Sequence, residues 1–574
     1  MDPITFGVVR GGLQSAAREM YRVFKRTTML AIIYEFNDFG MSLFDDRLNM
    51  VADAPGIPIF LGSLDGCIEK TLEELGGAEQ LRPGDTLFNN HPYLTAGQPP
   101  DAAVMQPIFH GDRLIGYAAI RAHMGDFGGK GWYPTDTTEL FQEGTLFPGV
   151  KIYEEGVRVD ALFRIMAANS RLPRETVGSI MGAVAAAQAC ARKVVSIVDK
   201  YGIDTYYEVI DAALDHGERL ARNAIERIPD GTYSYADQLD NNGVDSDPVE
   251  LACEVRVKGS DIEVDVSGSA AQQRGPVNCP WGYTLTTSRF ALKRLTTPDS
   301  NATSGEYRPL KVIAPEGSVF NPASPAPCFI GAWTSLRLSD MIVQALAPAM
   351  PDRVPAESGG DLAVCSVRVR DVANRRWHIF ADFGALGMGA APYRDGMNAL
   401  IHPIEAGCQS LPAELVEARM PLYRRRWELQ SDSGGAGKYR GGLGAVSEWE
   451  FLSHGVINAI TEKTRGSAPR GLAGGGSAPF MNELRVFPDT EQELRLGKKS
   501  NIETRPGDVF SMRAAGGGGH GDPFERDPAR VLADVVDGYV SVENARELYG
   551  VVIDLEREAV DTAATDALRA TRSA

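Results

Sequence analysis

Apolar positions recur at helical spacing in two parts of the chain. Over residues 8–30 they return every three or four positions, which predicts an opening amphipathic helix. Over residues 173–228 the same spacing predicts two long helices that join near Gly202. The other apolar runs are short, rich in β-branched and aromatic residues and bounded by turn residues, so they predict strands.

Strand-like runs occupy most of the remaining sequence. AIIYEFNDFGMSLFDD predicts a strand, a tight turn at residues 37–40 and a second strand, and DTLFNN, AVMQPIF and LIGYAAIRAHMGDFGG predict further strands. Residues 233–270 alternate between apolar and polar positions, as half-buried antiparallel strands do. Residues 350–520 combine strand-like runs with Gly-rich turns, and residues 527–570 predict two short helices.

These elements predict a mixed α/β (α+β) fold with several domains, rich in strands and loops and with a central helical segment. A chain of 574 residues is long enough for two to four domains. We expect an N-terminal α/β region with the candidate metal site at residues 1–170 and a helical segment at 171–230. A mixed α/β region at 231–350 and a Gly-rich strand-and-loop region with C-terminal helices at 351–574 follow.

Composition excludes several classes of protein. The 76 acidic and 58 basic residues give a net charge of −18, and no Lys/Arg run would form a nucleic-acid track. There is no stretch of about 18 apolar residues and no signal-peptide pattern, so no membrane span is expected. The 7 cysteines are scattered without a CxxC pair, which indicates reduced thiols and a cytoplasmic protein.

Candidate chemistry is concentrated in the N-terminal region. His123 ends a predicted strand in RAHMGDFGG, and Asp126 follows three residues later. Asp38 lies in the turn after the first strand-like run, and Asp101 follows the loop HPYLTAGQPP. Such a mixed nitrogen and oxygen set suits zinc or manganese. His-x-x-Asp is nevertheless a common chance pattern, and buried His and Asp residues usually only satisfy strand ends and turns.

The order of several longer motifs carries more weight than this spacing. YEFNDFGMSLFD, RPGDTLFNNHPY, RAHMGDFGGKGWYPTDTTELFQEG, NSRLPRETVGSIMGA, SDSGGAGKYRGGLG and the ending GGGGHGDPFERDPARVLADVVDGYVSVENARELYGVV follow one another along nearly the whole chain. In this order the sequence resembles the hydantoinase B/oxoprolinase family. That family includes B-type subunits of hydantoin and lactam hydrolases, the C-terminal half of 5-oxoprolinase, and subunits of acetone- and acetophenone-type carboxylases.

The resemblance implies a partner and a site. Members work with an A-type subunit of actin-like ATPase fold, which holds ATP and Mg²⁺ and phosphorylates the substrate oxygen. The B-type site then directs water or bicarbonate to the activated carbon. Carried over to this chain, the metal-ligand candidates are Asp38, Asp101 and His123, with Asp126 beside them.

One departure from the family pattern bears on the metal. Family members often carry Gly-Gly-Thr-His-Leu-Pro-Asp, with that histidine as a ligand, whereas this chain has Gln98 at the corresponding position. An amide oxygen is a weaker ligand for zinc than imidazole is, so metal affinity or metal choice is expected to change. His91, earlier in the same loop, is a candidate to compensate.

Two other enzyme types are excluded by motif. No P-loop is present, because the nearest match, SGGAGKY at residues 433–439, lacks the first Gly and the final Ser/Thr. The glycines before His520 are expected to form a tight loop, with an anion-binding nest as the alternative. There is no G-x-S-x-G elbow of a serine hydrolase.

The leading hypothesis is therefore the metal-site subunit of a heteromeric, ATP-dependent hydrolase that opens cyclic amides. A divalent cation, zinc or manganese, would be held by Asp38, Gln98, Asp101 and His123. His123 and Asp126 are the catalytic candidates, with Asp126 orienting His123 or acting as general base. The alternatives are a subunit of a biotin-independent carboxylase of a ketone, and a non-catalytic scaffold whose metal site has decayed. A homo- or hetero-oligomer is expected.

Overall fold

The computed structural model describes residues 2–95 and 97–572, with only the backbone of residue 572. The chain divides into two compact units. Unit 1 comprises Met1–Asp237, Glu250–Ile342 and Ile404–Ser410, and unit 2 comprises Gln238–Val249, Val343–Pro403 and Leu411–Ala574. The predicted division into four regions stays a prediction, and the chain is described below by these two units.

The elements alternate between helix and strand along the chain, which confirms the predicted mixed α/β fold. The helices are α1 (Pro3–Thr27), α2 (Ala31–Tyr34), α3 (Pro58–Leu61), α4 (Leu64–Leu75), α5 (Pro92–Thr95), α6 (Asp160–Ala168), α7 (Pro173–Tyr201), α8 (Ile203–Ile225), α9 (Trp281–Thr296), α10 (Gly331–Ala345), α11 (Ala413–Arg419), α12 (Pro528–Val536), α13 (Val542–Tyr549) and α14 (Thr562–Arg572).

The strands of unit 1 are β1 (Phe39–Asp45), β2 (Met50–Asp53), β3 (Thr86–Asn89), β4 (Asp101–His110), β5 (Arg113–His123), β6 (Val150–Glu154), β7 (Val157–Arg158), β8 (Gly231–Leu239), β9 (Val249–Lys258), β10 (Asp261–Asp265) and β11 (Leu310–Ile313), where the ends of β8 and β9 extend into unit 2. Those of unit 2 are β12 (Val364–Asp371), β13 (Arg376–Phe383), β14 (Leu422–Leu429), β15 (Ala445–Phe451), β16 (Gly455–Ile460), β17 (Glu483–Val486), β18 (Leu494–Leu496), β19 (Lys499–Thr504), β20 (Val509–Arg513), β21 (Ile553–Asp554) and β22 (Ala559–Val560).

The main sheet of unit 1 has the strand order β2-β1-β5-β4-β3-β6-β7, with antiparallel neighbours. Its central strands are buried on both faces. Ala102 and Val104 of β4 pack into one hydrophobic cluster with α1 and α7, whereas Ala103 and Met105 pack into another with α4. Asp101 is opposite His123 in the register of β4 and β5, and side chains alternate between the two faces along a strand. His123 therefore lies on the sheet face that carries Ala103 and Met105.

The N-terminal helix begins earlier than the apolar spacing predicts. Asp2 caps α1 by accepting a hydrogen bond from Thr5 N at 2.9 Å, and Pro3 occupies the first turn, where its missing N–H costs nothing. The two long helices joined at Gly202 are confirmed as α7 and α8.

The first predicted strand is wrong. Residues 31–34 form the short helix α2. The backbone between this helix and Asp38 stays wound in a turn, because Asp38 N donates a hydrogen bond to Ile32 O at 3.0 Å. Asn37 has a left-handed backbone conformation with a φ of 65°, which ends this turn, and β1 begins at Phe39. The apolar run is too short for its periodicity to separate a buried helical turn from a strand.

One helix among the described residues, α7, is long and apolar enough to cross a membrane by length and composition alone. Half of its most apolar window is buried inside the fold, where residues such as Ala183, Ala187 and Val194 belong to the hydrophobic cluster shared with α1 and the sheet. This burial is what a core helix shows, so the composition of α7 is weak support for a membrane span.

Two sheets make up most of unit 2, with strand orders β13-β12-β16-β19 and β14-β15-β20-β17-β18. Val367 of β12 and Trp449 and Phe510 of the other sheet lie in one hydrophobic cluster, so the core of unit 2 is built from both sheets. The tail described up to residue 572 has the helices α12, α13 and α14, one more than predicted. The third helix was missed because residues 562–572 carry few large apolar side chains.

The Gly-rich segments of unit 2 pack backbone against backbone. Gly435 N donates to Gly517 O at 2.8 Å, and Gly517 N donates to Gly442 O at 2.9 Å. A Cβ atom on Gly517 would lie 2.1 Å from Met388 O, and one on Gly441 would lie 1.9 Å from Gly517 O. The amide groups are used within this packing, so the alternative of an anion-binding nest before His520 is not supported.

A buried carboxylate fixes the segment before α10 within unit 1. Glu143 accepts hydrogen bonds from Cys328 N and Phe329 N, each at 2.9 Å, and from the Thr137 hydroxyl. Burial raises the pKa of Glu143 to about 7, although these hydrogen bonds oppose the shift.

We predict that Gly517→Ala lowers the free energy of unfolding of unit 2 by roughly 3 kcal/mol or more, because the added methyl group meets backbone that cannot move alone. Gly476→Ala is the matched control, since its Cβ atom would be 3.4 Å from the nearest atom. Chemical denaturation followed by tryptophan fluorescence measures both variants. Equal midpoints would contradict the close packing at Gly517.

We predict that Glu143→Gln weakens the pH dependence of stability. A folded-state pKa of about 7, above the ordinary 4.5, means that the stability which Glu143 contributes is present below pH 4.5 and is lost as the pH rises through 7. Between pH 5 and 8 the wild type should lose more stability than the variant, by on the order of 1–3 kcal/mol. The free energy of unfolding of both proteins is measured by denaturation at each pH. An equal pH dependence in the wild type and in Glu143→Gln would show that the pKa of Glu143 is not raised.

Candidate functional site

Three of the predicted ligands meet at one end of the main sheet. Asp101 begins β4 and His123 ends β5, and the antiparallel register places them opposite each other. Asp38 directly precedes β1, and its carbonyl oxygen accepts a hydrogen bond from His123 N at 3.2 Å. Residues distant in sequence therefore converge because β1, β5 and β4 are adjacent strands.

Asp101 holds the imidazole of His123. His123 Nδ1 lies 3.0 Å from Asp101 Oδ1, and both side chains are 1% exposed. The other oxygen, Oδ2, accepts hydrogen bonds from the Tyr283 hydroxyl at 3.0 Å and from Gln98 N at 3.1 Å. Since a carboxylate only accepts hydrogen bonds, Nδ1 carries the proton of the neutral imidazole, and Nε2 then presents a lone pair. Among the residues that the structure describes, this buried Nε2 atom has no hydrogen-bond partner.

The charges around His123 are mainly negative. Burial alone would lower the pKa of His123, but the hydrogen bond to Asp101 and the charges of Asp101, Asp38 and Asp126 raise it above its ordinary value. Burial raises the pKa of Asp38 to about 7, with His123 opposing the shift and Asp101 adding to it.

Glu405 belongs to the same group, although sequence reasoning missed it. It lies in the segment Ile404–Ser410 of unit 1, which is bound to the turn before β1 by Gln409 N donating to Phe36 O at 2.9 Å. Burial raises the pKa of Glu405 well above its ordinary value, and the charges of Asp38 and Asp101 raise it further. Nothing in HPIEAG indicates this role, because only the tertiary fold brings the glutamate here.

Tyr133 was also missed. Its ring stacks on the His123 imidazole, with 5.6 Å between ring centroids and 16° between planes, and Trp132 meets the same imidazole edge-on at 5.8 Å. Tyr133 has a φ of 54°, an unusual conformation for a large aromatic residue and a mark of local constraint. Burial, followed by the charges of Asp38, Asp101 and Glu405, raises the pKa of its phenol, which therefore stays protonated.

Gln98 and His91 differ in their relation to this group. A hydrogen bond joins the side chain of Gln98 to Tyr133, and Gln98 Oε1 is buried without a partner among the described residues. Burial lowers the pKa of His91, and the side-chain charge that acts on it is that of Glu74, not of the carboxylates around His123. The structure therefore gives no support to His91 as a replacement for the family histidine.

Asp126 does not orient His123. Its Oδ1 accepts hydrogen bonds from Arg171 Nη1 at 2.7 Å and Gly128 N at 3.1 Å, and Oδ2 accepts one from Arg171 N. These contacts stabilise the Gly-rich turn after β5, and Asp101 makes the contact to Nδ1 that was expected of Asp126. Asp126 follows His123 by three residues, but this spacing after the end of a strand does not bring the two side chains together. The general-base role of Asp126 stays a prediction.

The donor types fit a divalent cation. Three buried carboxylates, a free imidazole nitrogen and a buried amide oxygen lie around Tyr133 and His123. Within residues 2–95 and 97–572, however, no group of three or more His, Cys, Asp or Glu side chains is already arranged to hold a metal ion. The support for a divalent cation therefore comes from the chemical type of these donor groups and from the buried Nε2 atom of His123, which has no hydrogen-bond partner among the described residues.

Comparisons with known proteins agree with the resemblance seen in the motifs. Residues 2–523 match the hydantoinase B/oxoprolinase family. The B-type subunit assigned to a D-/L-hydantoinase of Pseudomonas sp. (strain NS671) is 31% identical over 587 residues, which cover 99% of this chain and 98% of that protein.

Two solved structures are also similar. The crystal structure of ATP-dependent caprolactamase from Pseudomonas jessenii has a TM-score of 0.89 at 28% identity and covers 99% of this chain and 100% of that one. A nucleotide-free acetone carboxylase has a TM-score of 0.90 at 20% identity, covering 100% of this chain and 83% of that one, and shows a shared fold alone. The chain therefore belongs to the hydantoinase B/oxoprolinase family.

Proposed function

We propose that this chain is the metal-site subunit of a heteromeric, ATP-dependent enzyme that opens cyclic amides such as hydantoins or lactams. The observation that carries the proposal is the buried His123–Asp101 pair, which leaves His123 Nε2 without a hydrogen-bond partner among the described residues, while the charges of Asp101 and Asp38 both act on the buried Glu405. The hydantoinase and caprolactamase relatives support the substrate class.

The residues divide the work by position. His123 Nε2, Asp38 and Gln98 Oε1 are the proposed ligands of a zinc or manganese ion, which would supply Lewis-acid polarisation of water or of a substrate oxygen. Asp101, predicted from the sequence as a further ligand, bonds to Nδ1 on the other side of the ring and supports the imidazole instead. Asp101, which the Tyr283 hydroxyl holds by a hydrogen bond, fixes the orientation of the imidazole, and such supporting contacts strongly affect metal affinity. Tyr133 keeps its proton and can donate a hydrogen bond to an oxygen that becomes negative during the reaction.

ATP and Mg²⁺ are proposed to bind to an A-type ATPase partner. The relative from Pseudomonas sp. is named as one subunit of its enzyme, which implies a companion subunit. The Gly-rich segments of unit 2 are the parts of this chain whose sequence is most like a phosphate-binding loop. Their amide groups are used in backbone hydrogen bonds. A cytoplasmic location also remains part of the proposal.

A second candidate is a subunit of a biotin-independent ketone carboxylase. Gln98, which replaces the histidine of the hydrolase pattern, leaves this candidate open because the chain departs from that pattern. With the partner subunit present, ATP turnover that requires bicarbonate would identify the carboxylase, and turnover driven by a lactam alone would identify the hydrolase. A metal-free chain in an active complex would instead identify a scaffold.

We predict that the purified full-length chain contains about one divalent ion and that His123→Ala abolishes this content, because the variant removes the free imidazole nitrogen. His216→Ala, an exposed histidine of α8, is the control and should retain the ion. Elemental analysis measures the metal, and turnover of the reconstituted complex should fall by at least about a hundredfold in His123→Ala. Unchanged metal content and turnover in His123→Ala would refute the assignment.

A further inference from the structure

The segment Ile404–Ser410 brings an additional acidic side chain to the candidate metal site. Asn37 Nδ2 donates to Gly407 O at 3.3 Å, and Gln409 N donates to Phe36 O at 2.9 Å. Lys25 Nζ holds the other end of the Asn37 amide at 2.7 Å. Because Asp38 directly follows Asn37, these contacts place Glu405 beside the Asp38 turn, within the same unit.

The carboxylate of Glu405 has an unusual electrostatic environment. The residue is 7% exposed, and the charges that act on it are those of Asp38 and Asp101. Burying carboxylates together is unfavourable unless a cation or protons compensate their charge. Two buried polar atoms nearby, His123 Nε2 and Gln98 Oε1, also have no hydrogen-bond partner among the described residues. Both atoms are lone-pair donors of the kind that metal ions use.

The ring of Tyr133 connects several of these groups. It stacks on His123, its hydroxyl contacts the side chain of Gln98, and the charges of Asp38, Asp101 and Glu405 all act on it. The imidazole and the Gln98 amide therefore contact one phenol, on which the charges of the three carboxylates also act.

We propose that Glu405 is a ligand of this cation site, and that Glu405 and Gln98 together shift the site towards metals that prefer oxygen donors. The inference rests on the proposed function, because it concerns the same site. Carboxylate and carbonyl oxygens suit manganese, whereas imidazole suits zinc. Divalent zinc still binds most sites more tightly than manganese does, so the expected effect is a smaller difference between the two affinities.

Four versions of the full-length chain, stripped of metal and titrated separately with Mn²⁺ and Zn²⁺ by calorimetry, test the proposal. They are the wild type, Glu405→Gln, Gln98→His and Glu306→Gln. Glu306 is the matched control, because it is a buried carboxylate of the same unit that pairs with Lys293 Nζ at 2.9 Å. Glu405→Asp keeps the charge but shortens the side chain, and it replaces Glu405→Gln if that variant does not fold.

The wild type and Glu306→Gln should bind about one Mn²⁺ per chain, and Glu405→Gln should weaken that binding at least about tenfold. Gln98→His should raise the affinity for Zn²⁺ more than the affinity for Mn²⁺. If Glu405→Gln binds Mn²⁺ like the wild type, Glu405 is only a neutral buried acid and the inference fails, while the proposed function stands. An unchanged ratio of affinities in Gln98→His would overturn the metal preference. No binding of either metal by the wild type would overturn both this inference and the proposed metal site.

Discussion

The site in unit 1 depends on how the fold balances negative charge that it buries. Asp38, Asp101 and Glu405 are each almost inaccessible to solvent, and they are buried in the same unit as His123. A divalent cation would compensate this charge and also satisfy the free Nε2 atom of His123. Neighbouring elements contact the same group of side chains. The Tyr283 hydroxyl of α9 donates to Asp101, and the Tyr133 ring, in the segment after β5, stacks on His123.

Local sequence patterns predicted the parts of the structure that local interactions determine. The helices α7 and α8 follow from long apolar periodicity, and the strands β3, β4 and β5 follow from short apolar runs between turns. The helix α2 was misread as a strand because four apolar residues carry no usable period. Within the site, His123 and Asp101 were found because each lies at a strand end in a recognisable motif.

The remaining site residues could not be found in this way. Glu405 reaches the site through the backbone contacts of Gln409 and Gly407, which no local pattern encodes. Asp126 illustrates the opposite error, because its closeness in sequence to His123 suggested a contact between the two side chains, whereas its carboxylate binds Arg171. The chain belongs to the hydantoinase B/oxoprolinase family, and Gln98 is a position at which its sequence departs from the pattern expected of that family.

A cation at His123 is tested most directly by anomalous diffraction at the manganese absorption edge, from crystals of the full-length chain grown with Mn²⁺. We predict one strong peak about 2.0–2.3 Å from His123 Nε2 and from carboxylate oxygens of Asp38 and Glu405. A peak at another location, or no peak near His123 at saturating Mn²⁺, would contradict the claim that these buried carboxylates and the free imidazole nitrogen form a cation site.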